Sequence, residues 1–121
     1  MISRVSSAIT REVQNLFMAR ATYVGLLEYP PVDMGSYTEC KSQGYARVPA
    51  AWSVVRDGFL VIPEPMRFVG LDVPVSIMAI GLFPGPGATM GLTAWGALDL
   101  PLNSVNGVII VGGGTVSVRI G

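Results

Sequence analysis

The chain has no histidine, one lysine (Lys41) and one cysteine (Cys40). Without histidine the commonest partner for a serine or threonine nucleophile is missing, and a Ser-Lys pair would have to use Lys41, in a polar loop with no pattern that places it near a serine. A lone thiol makes no internal disulfide and, with no imidazole to join it, no soft-ligand zinc cluster, so a reducing site of synthesis is expected. Charge is scarce too: 13% of residues, where soluble domains average about 25%. The eight basic and eight acidic residues cancel and lie singly along the chain. Nothing in that spacing neutralises a row of phosphates, so nucleic acid is not an expected partner. No apolar run approaches the roughly 18 uninterrupted residues of a membrane span. The first residues also lack the basic region, apolar core and cleavage site of a signal peptide. These absences predict a soluble chain of cytoplasmic origin, with no membrane partner.

What the 121 residues have in plenty is apolar side chains, at 50%. The length predicts one core, and size scaling gives a folded accessible area of roughly 6,300 Å². A chain this apolar and this poor in charge is expected to hide surface in partners. Its plan shows between Ser76 and Leu98, where two apolar runs, Ser76 to Phe83 and Thr89 to Leu98, flank Pro84-Gly85-Pro86-Gly87. That is a strand, a connection and a strand. Neither run alternates cleanly, which suits strands covered on both faces or placed at a subunit contact.

Residues 1–19 follow a different period. Ile2, Val5, Ile9, Val13, Leu16 and Phe17 recur at spacings of three and four among polar residues, the pattern of an amphipathic helix. Such a helix packs on its own domain or docks as an arm on a neighbouring subunit. From Thr22 the chain reads as strands: Thr22 to Glu28, a long connection over 30–44, Tyr45 to Trp52 with an edge or bulge at Pro49, Phe59 to Ile62, and Met66 to Val69. After the central pair come Val108 to Val111 and Val116 to Ile120, joined by Gly112-Gly113-Gly114, which reads as a hairpin turn. About eight strands with prolines at their ends predict an all-β fold, an antiparallel β-sandwich of jelly-roll type, with a helical arm over 1–19 and the sandwich over 20–121.

Chemistry-bearing constellations are few. The triple glycine is followed by a strand, so it lacks the helix and lysine that complete a phosphate loop. Glu28, Asp33, Glu39, Asp57, Glu64, Asp72 and Asp99 fall mostly in turns, where carboxylates solvate and bond to backbone. Tyr45, Trp52 and Trp95 could form a sugar-binding platform, though in a small β domain such rings more often fill a core or an interface. Arg47, inside an apolar run, is costly to bury unless it meets a carboxylate, and Glu39 is the candidate for a structural ion pair; a solvent-facing Arg47 is the alternative. No catalytic, cofactor-binding or metal-ligating residue is assigned.

Glu39, Gly44-Tyr45-Ala46-Arg47-Val48 with Trp52, Ile80-Gly81-Leu82-Phe83, Ala94-Trp95-Gly96-Ala97-Leu98 and a closing pair of apolar strands together resemble short bacteriophage virion proteins of the tail-fibre-like group. The likeness spans Tyr23 to Gly121, although family members tend to have more alternating, Thr/Ser-rich strands and to begin directly at the first strand. It implies a non-enzymatic, multicopy structural protein of the virion, made in the host cytoplasm. It would be a capsid decoration or cement protein, or a tail tip or fibre module. Its partners would be copies of itself and other virion proteins; the interface expected at Ile2, Val5, Ile9, Val13, Leu16 and Phe17 comes from the amphipathic pattern of the first residues, outside the likeness. A small carbohydrate-binding module is the competing reading.

Overall fold

The computed structural model describes residues 6–120. They form one helix, α1 (Ser7–Arg20), and nine strands, all paired antiparallel. The strands are β1 (Tyr23–Leu27), β2 (Val48–Pro49), β3 (Ser53–Arg56), β4 (Phe59–Val61), β5 (Met66–Phe68), β6 (Ser76–Phe83), β7 (Ala94–Asn103), β8 (Ile109–Val111) and β9 (Ser117–Arg119). They make a four-stranded sheet in the order β2-β1-β6-β7, a three-stranded sheet β3-β4-β9 and a two-stranded sheet β5-β8.

β6 lies inside the largest sheet, and its sequence shows why it does not alternate. Ile80 and Leu82 join one hydrophobic cluster with Val24, Leu26, Ile62, Met66, Phe68, Ile109, Val111 and Val116, drawn from all three sheets or their margins. Ala79 and Phe83, on the opposite face, join Leu27 in a second cluster, covered by Tyr37 and Leu92 from the flanking loops. With both faces dry, every position can be apolar. β2, the expected edge at Pro49, is indeed an outer strand, where a missing N–H costs no ladder bond.

Three elements depart from the sequence reading. β7 begins at Ala94 rather than Thr89, because residues 84–93 are held as a loop by the contacts described below, and it continues through Pro101 to Asn103. It is an outer strand with one bulge: Ile77 and Ala79 of β6 enclose one residue, while their partners Leu102 and Ala97 enclose four. Pro101 sits in that excursion, away from any ladder it could break. β3, Ser53–Arg56, has no counterpart in the sequence reading, since all four residues are exposed and nothing in their pattern marks a buried face.

The third departure is the triple glycine, which does not close a hairpin. β8 pairs with β5, and β9 with β4. Between these pairings, residues 62–65 run beside 112–116, tied by Ile62 N–H to Val116 O (3.0 Å) and Gly114 N–H to Ile62 O (2.8 Å). One paired ribbon therefore turns from one sheet into another, with four residues on one strand opposite five on the other, as in a bulge. A Cβ on Gly113 would stand 2.2 Å from the Pro63 carbonyl oxygen. Glycine is required at 113 by this close backbone approach and at 114 by a positive φ of 81°, in a turn closed by Thr115 N–H to Gly112 O at 3.1 Å, although the flanking strands do not pair as a hairpin.

The helix packs through an unexpected side. Ser6 caps it, its hydroxyl accepting from Ile9 N–H at 3.3 Å. The residues turned inward are Gln14, which is buried and accepts from Gly58 N–H at 2.8 Å, and Phe17, edge-on to Trp52 at 5.8 Å. Arg11 pairs with Asp57 at 3.6 Å on the surface. Ile9, Val13 and Leu16 are 50%, 46% and 58% exposed. The apolar stripe read from the sequence thus faces away from this chain, except for Phe17, which packs on its own core. Ile2 and Val5 lie outside the described residues. No described helix is long and apolar enough to cross a membrane.

Candidate functional site: a buried Tyr45–Glu39–Arg47 clamp

Strand β1 lacks a continuous partner on the edge away from β6. β2 covers only Tyr23 and Val24, and residues 38–40 take up the other end, through Cys40 N–H to Leu26 O (2.9 Å) and Glu28 N–H to Thr38 O (2.8 Å). Between them the Leu26 N–H has no backbone acceptor, and the Tyr45 hydroxyl accepts from it at 3.0 Å. A side chain here stands in for a missing strand, as an unpaired buried N–H is costly. Gly25 leaves the room: a Cβ there would fall 2.6 Å from the Phe83 ring, 2.7 Å from the Tyr45 hydroxyl and 2.9 Å from Glu39 Oε2.

The tyrosine hydroxyl donates in turn to Glu39 Oε2 in a short hydrogen bond. Glu39 accepts a two-pronged grip from Arg47, Nε to Oε2 and Nη2 to Oε1, both 2.8 Å. The remaining nitrogen, Nη1, reaches the carbonyls of Gly85 (3.1 Å), Gly87 (2.6 Å) and Met90 (3.1 Å). The guanidinium also lies 3.5 Å from the centre of the Phe83 ring, a favourable cation–π geometry. Only 2% of the Arg47 side chain is exposed, against 16% for Glu39. The structure thus brings Glu39 and Arg47 together and places the pair inside, not on a solvent face. Among the described residues no buried side-chain nitrogen or oxygen lacks a partner.

The electrostatics follow from that enclosure. Burial alone would lower the Arg47 pKa, but the hydrogen-bonded Glu39 carboxylate outweighs it and raises it further. Burial, and then Glu39, push the Tyr45 phenol well above its ordinary value, so it stays a donor. Burial also raises the Cys40 thiol. The carboxylate, the phenol and the cation are consumed by each other and by backbone carbonyls. What the arrangement does is join three distant segments: β1, the 39–47 stretch and the 84–93 loop between β6 and β7.

The other candidates are dispersed. Asp33 accepts from Gly35 N–H at 2.9 Å. Asp57 faces Arg11, and Asp72 accepts from the Ser42 hydroxyl (2.6 Å) and Gln43 N–H (2.9 Å), which lower its pKa. Ser42, beside Lys41, is thereby committed to Asp72. No group of three or more His, Cys, Asp or Glu among the described residues is arranged to hold a metal ion. Trp52 donates to Ala21 O at 2.7 Å and packs on the core, and Tyr45 stacks on Phe68 at 6.2 Å. Trp95 differs, being 37% exposed. It borders an opening of about 350 Å³ between Ala94–Leu98 of β7 and Thr115–Arg119 around β9, with Phe17, Ile80 and Leu82 also lining it.

Sequence reasoning pairs Glu39 with Arg47 but misses the rest of the clamp, the phenol, the Phe83 ring and three carbonyls. One signal was present: Pro84-Gly85-Pro86-Gly87 has two residues without an N–H, so its carbonyls outnumber its donors and suit a buried cation. Comparison of the chain with protein-family models, with curated proteins and with solved structures finds no match.

Proposed function

We propose that this chain is a non-enzymatic structural subunit of a bacteriophage particle, present in many copies and held to neighbouring virion subunits by α1. The observation that carries this reading is the helix's inverted packing. Gln14 faces the chain's own sheets while Ile9, Val13 and Leu16 face outward, an arrangement that wastes an apolar stripe in a monomer and serves a docked one. One further consideration supports it. The sequence likeness to tail-fibre-like virion proteins gives the setting: virion, after synthesis in the host cytoplasm.

The same reading includes a β-sandwich of jelly-roll type, with the β2-β1-β6-β7 sheet as one layer and the β3-β4-β9 and β5-β8 sheets as the other. Its support is the single hydrophobic cluster to which both would contribute. Decoration of the capsid and a place at the tail tip or fibre are distinguished by immunogold labelling of purified particles with an antibody to this chain. Label on heads gives the first and label on tails the second, while unlabelled particles end the virion reading. Leu16→Glu is expected to release the protein from particles while leaving its fold intact, since Leu16 is 58% exposed.

A carbohydrate-binding module is the second reading, favoured by Trp95 alone. Its half-exposed ring borders an opening that also has Thr115, Ser117 and Arg119 on its wall. Glycan binding that Trp95→Ala abolishes in a folded protein would support it.

A further inference from the structure

We infer that the free edge of β7 is a homotypic contact, pairing antiparallel with β7 of a second copy of this chain. The inference rests on the assembly reading above and deepens it by naming a second surface and its partner.

The sheet edges differ in how they are defended. Natural sheets blunt exposed edges with short strands, prolines, charges or bulges. β2 has two residues and Pro49; β3 has four, ends in Arg56 and is bulged after Val54; β9 has three, with Arg119. The two strands of the β5-β8 sheet have three residues each, with Arg67 in β5. β7 has ten residues, and its stretch from Ala94 to Ala97 has neither charge, proline nor bulge. Its backbone bonds run only to β6, so its outward N–H and C=O groups are unpaired. Asp99, Pro101 and the bulge defend only the far half, which sets Ala94–Ala97 apart as the usable edge.

Gly96, within that stretch, has no explanation inside one chain. Its φ is not positive, and a Cβ there would meet no atom within 4 Å. Glycine in a strand interior weakens the strand, so packing within one chain does not favour it here. Opposed residues of an antiparallel pair share a face, so Gly96, across from Ile80, lies on the core-facing side of β7, where the chain leaves the opening of about 350 Å³.

A second copy fits this edge better than another occupant. A strand edge is self-complementary across a two-fold axis normal to the sheet, which keeps each face on its own side. Centred on Gly96, the pairing sets Trp95 opposite Ala97 of the second copy, with no charged residue in the paired stretch.

The test is the mass of the purified full chain over a concentration series, by sedimentation or light scattering, for the parent, Ala97→Lys and Leu16→Glu. Ala97 is exposed, so the added lysine side chain leaves the fold alone, which thermal melts check. The parent is expected to form dimers that Ala97→Lys weakens roughly tenfold or more. Amide exchange over 94–97 is expected to be slow in the parent dimer and fast in Ala97→Lys. If Ala97→Lys assembles as well as the parent while Leu16→Glu does not, the edge contact is overturned and the assembly reading is left standing. A parent that stays at 12.8 kDa throughout, with fast exchange at 94–97, overturns it as well. Loss of particle labelling, by contrast, bears on the assembly reading alone.

Discussion

Replacing Arg47 by methionine isolates what the clamp contributes. Methionine keeps most of the stem's volume and its contact with Phe83, but removes every bond the guanidinium makes. Glu39 keeps the Tyr45 hydroxyl and loses two bonds of 2.8 Å, and the carbonyls of Gly85, Gly87 and Met90 lose their only shared donor. Breaking a buried pair from one side costs about 3–5 kcal/mol, because the remaining charge stays buried without its partner. For a chain of this length about 4 °C of Tm accompanies each kcal/mol, so the melting point is expected to fall by roughly 12–20 °C. Scanning calorimetry measures it, and amide exchange should show the loss concentrated over 84–93. Glu39→Gln in the Arg47→Met background is expected to cost far less than in the parent, a coupling of about 2 kcal/mol or more. A Tm within about 4 °C of the parent, or additive single and double variants, would refute the clamp as an energetic unit.

Two further substitutions probe the same framework. Tyr45→Phe leaves the Leu26 N–H without its acceptor and Glu39 without a donor, and is expected to cost about 1–3 kcal/mol at neutral pH. Since the folded phenol titrates above the unfolded value of about 10, its stabilising contribution is intact below that pH and is lost as pH rises through the folded value. Urea unfolding at pH 8 to 11 should therefore show parent and Tyr45→Phe converging toward the alkaline end. A gap that widens there rejects the assignment. Gly113→Ala drives a methyl into the Pro63 carbonyl and should cost about 1–3 kcal/mol of overpacking, read as a lower denaturation midpoint; an unchanged midpoint would return the triple glycine to the role of a simple turn.

The parts of the fold legible in the sequence are those decided by local pattern. Ser76 to Phe83 has the bounds of β6 because burial on both faces leaves an unbroken apolar run between polar and proline punctuation. Tyr23 to Leu27 stands out for the same reason. The elements that local pattern misplaces depend on distant partners. Thr89 to Thr93 is apolar enough for a strand, yet Arg47, far away in the chain, holds the neighbouring carbonyls in a loop. Gly112-Gly113-Gly114 looks like a hairpin from within, and only the position of Pro63 makes it a corner. The helix gives a subtler lesson: its apolar stripe is real, but periodicity does not say which chain the stripe faces. Gln14, an ordinary polar residue in a heptad-like pattern, anchors the side that faces home. In the clamp, a lone arginine in an apolar run points to a buried partner, whereas the tyrosine's bond to a gap in the β1 ladder depends on where β2 ends.

The corner shared by β4–β5 and β8–β9 also orders events in time. Its two arms are separated in sequence by β6, β7 and their loop, so each ladder closes only after a long excursion of chain, and such non-local pairings form slowly. During synthesis β4 and β5 emerge well before the strands that complete them. Until β8 and β9 have been made, Phe59 to Phe68 presents unpaired backbone, and Leu60, Ile62 and Phe68 lack the burial they have in the finished chain. A ribosome stalled between β7 and β8 therefore releases a product with sticky edges, and premature termination there yields aggregation rather than a smaller folded protein.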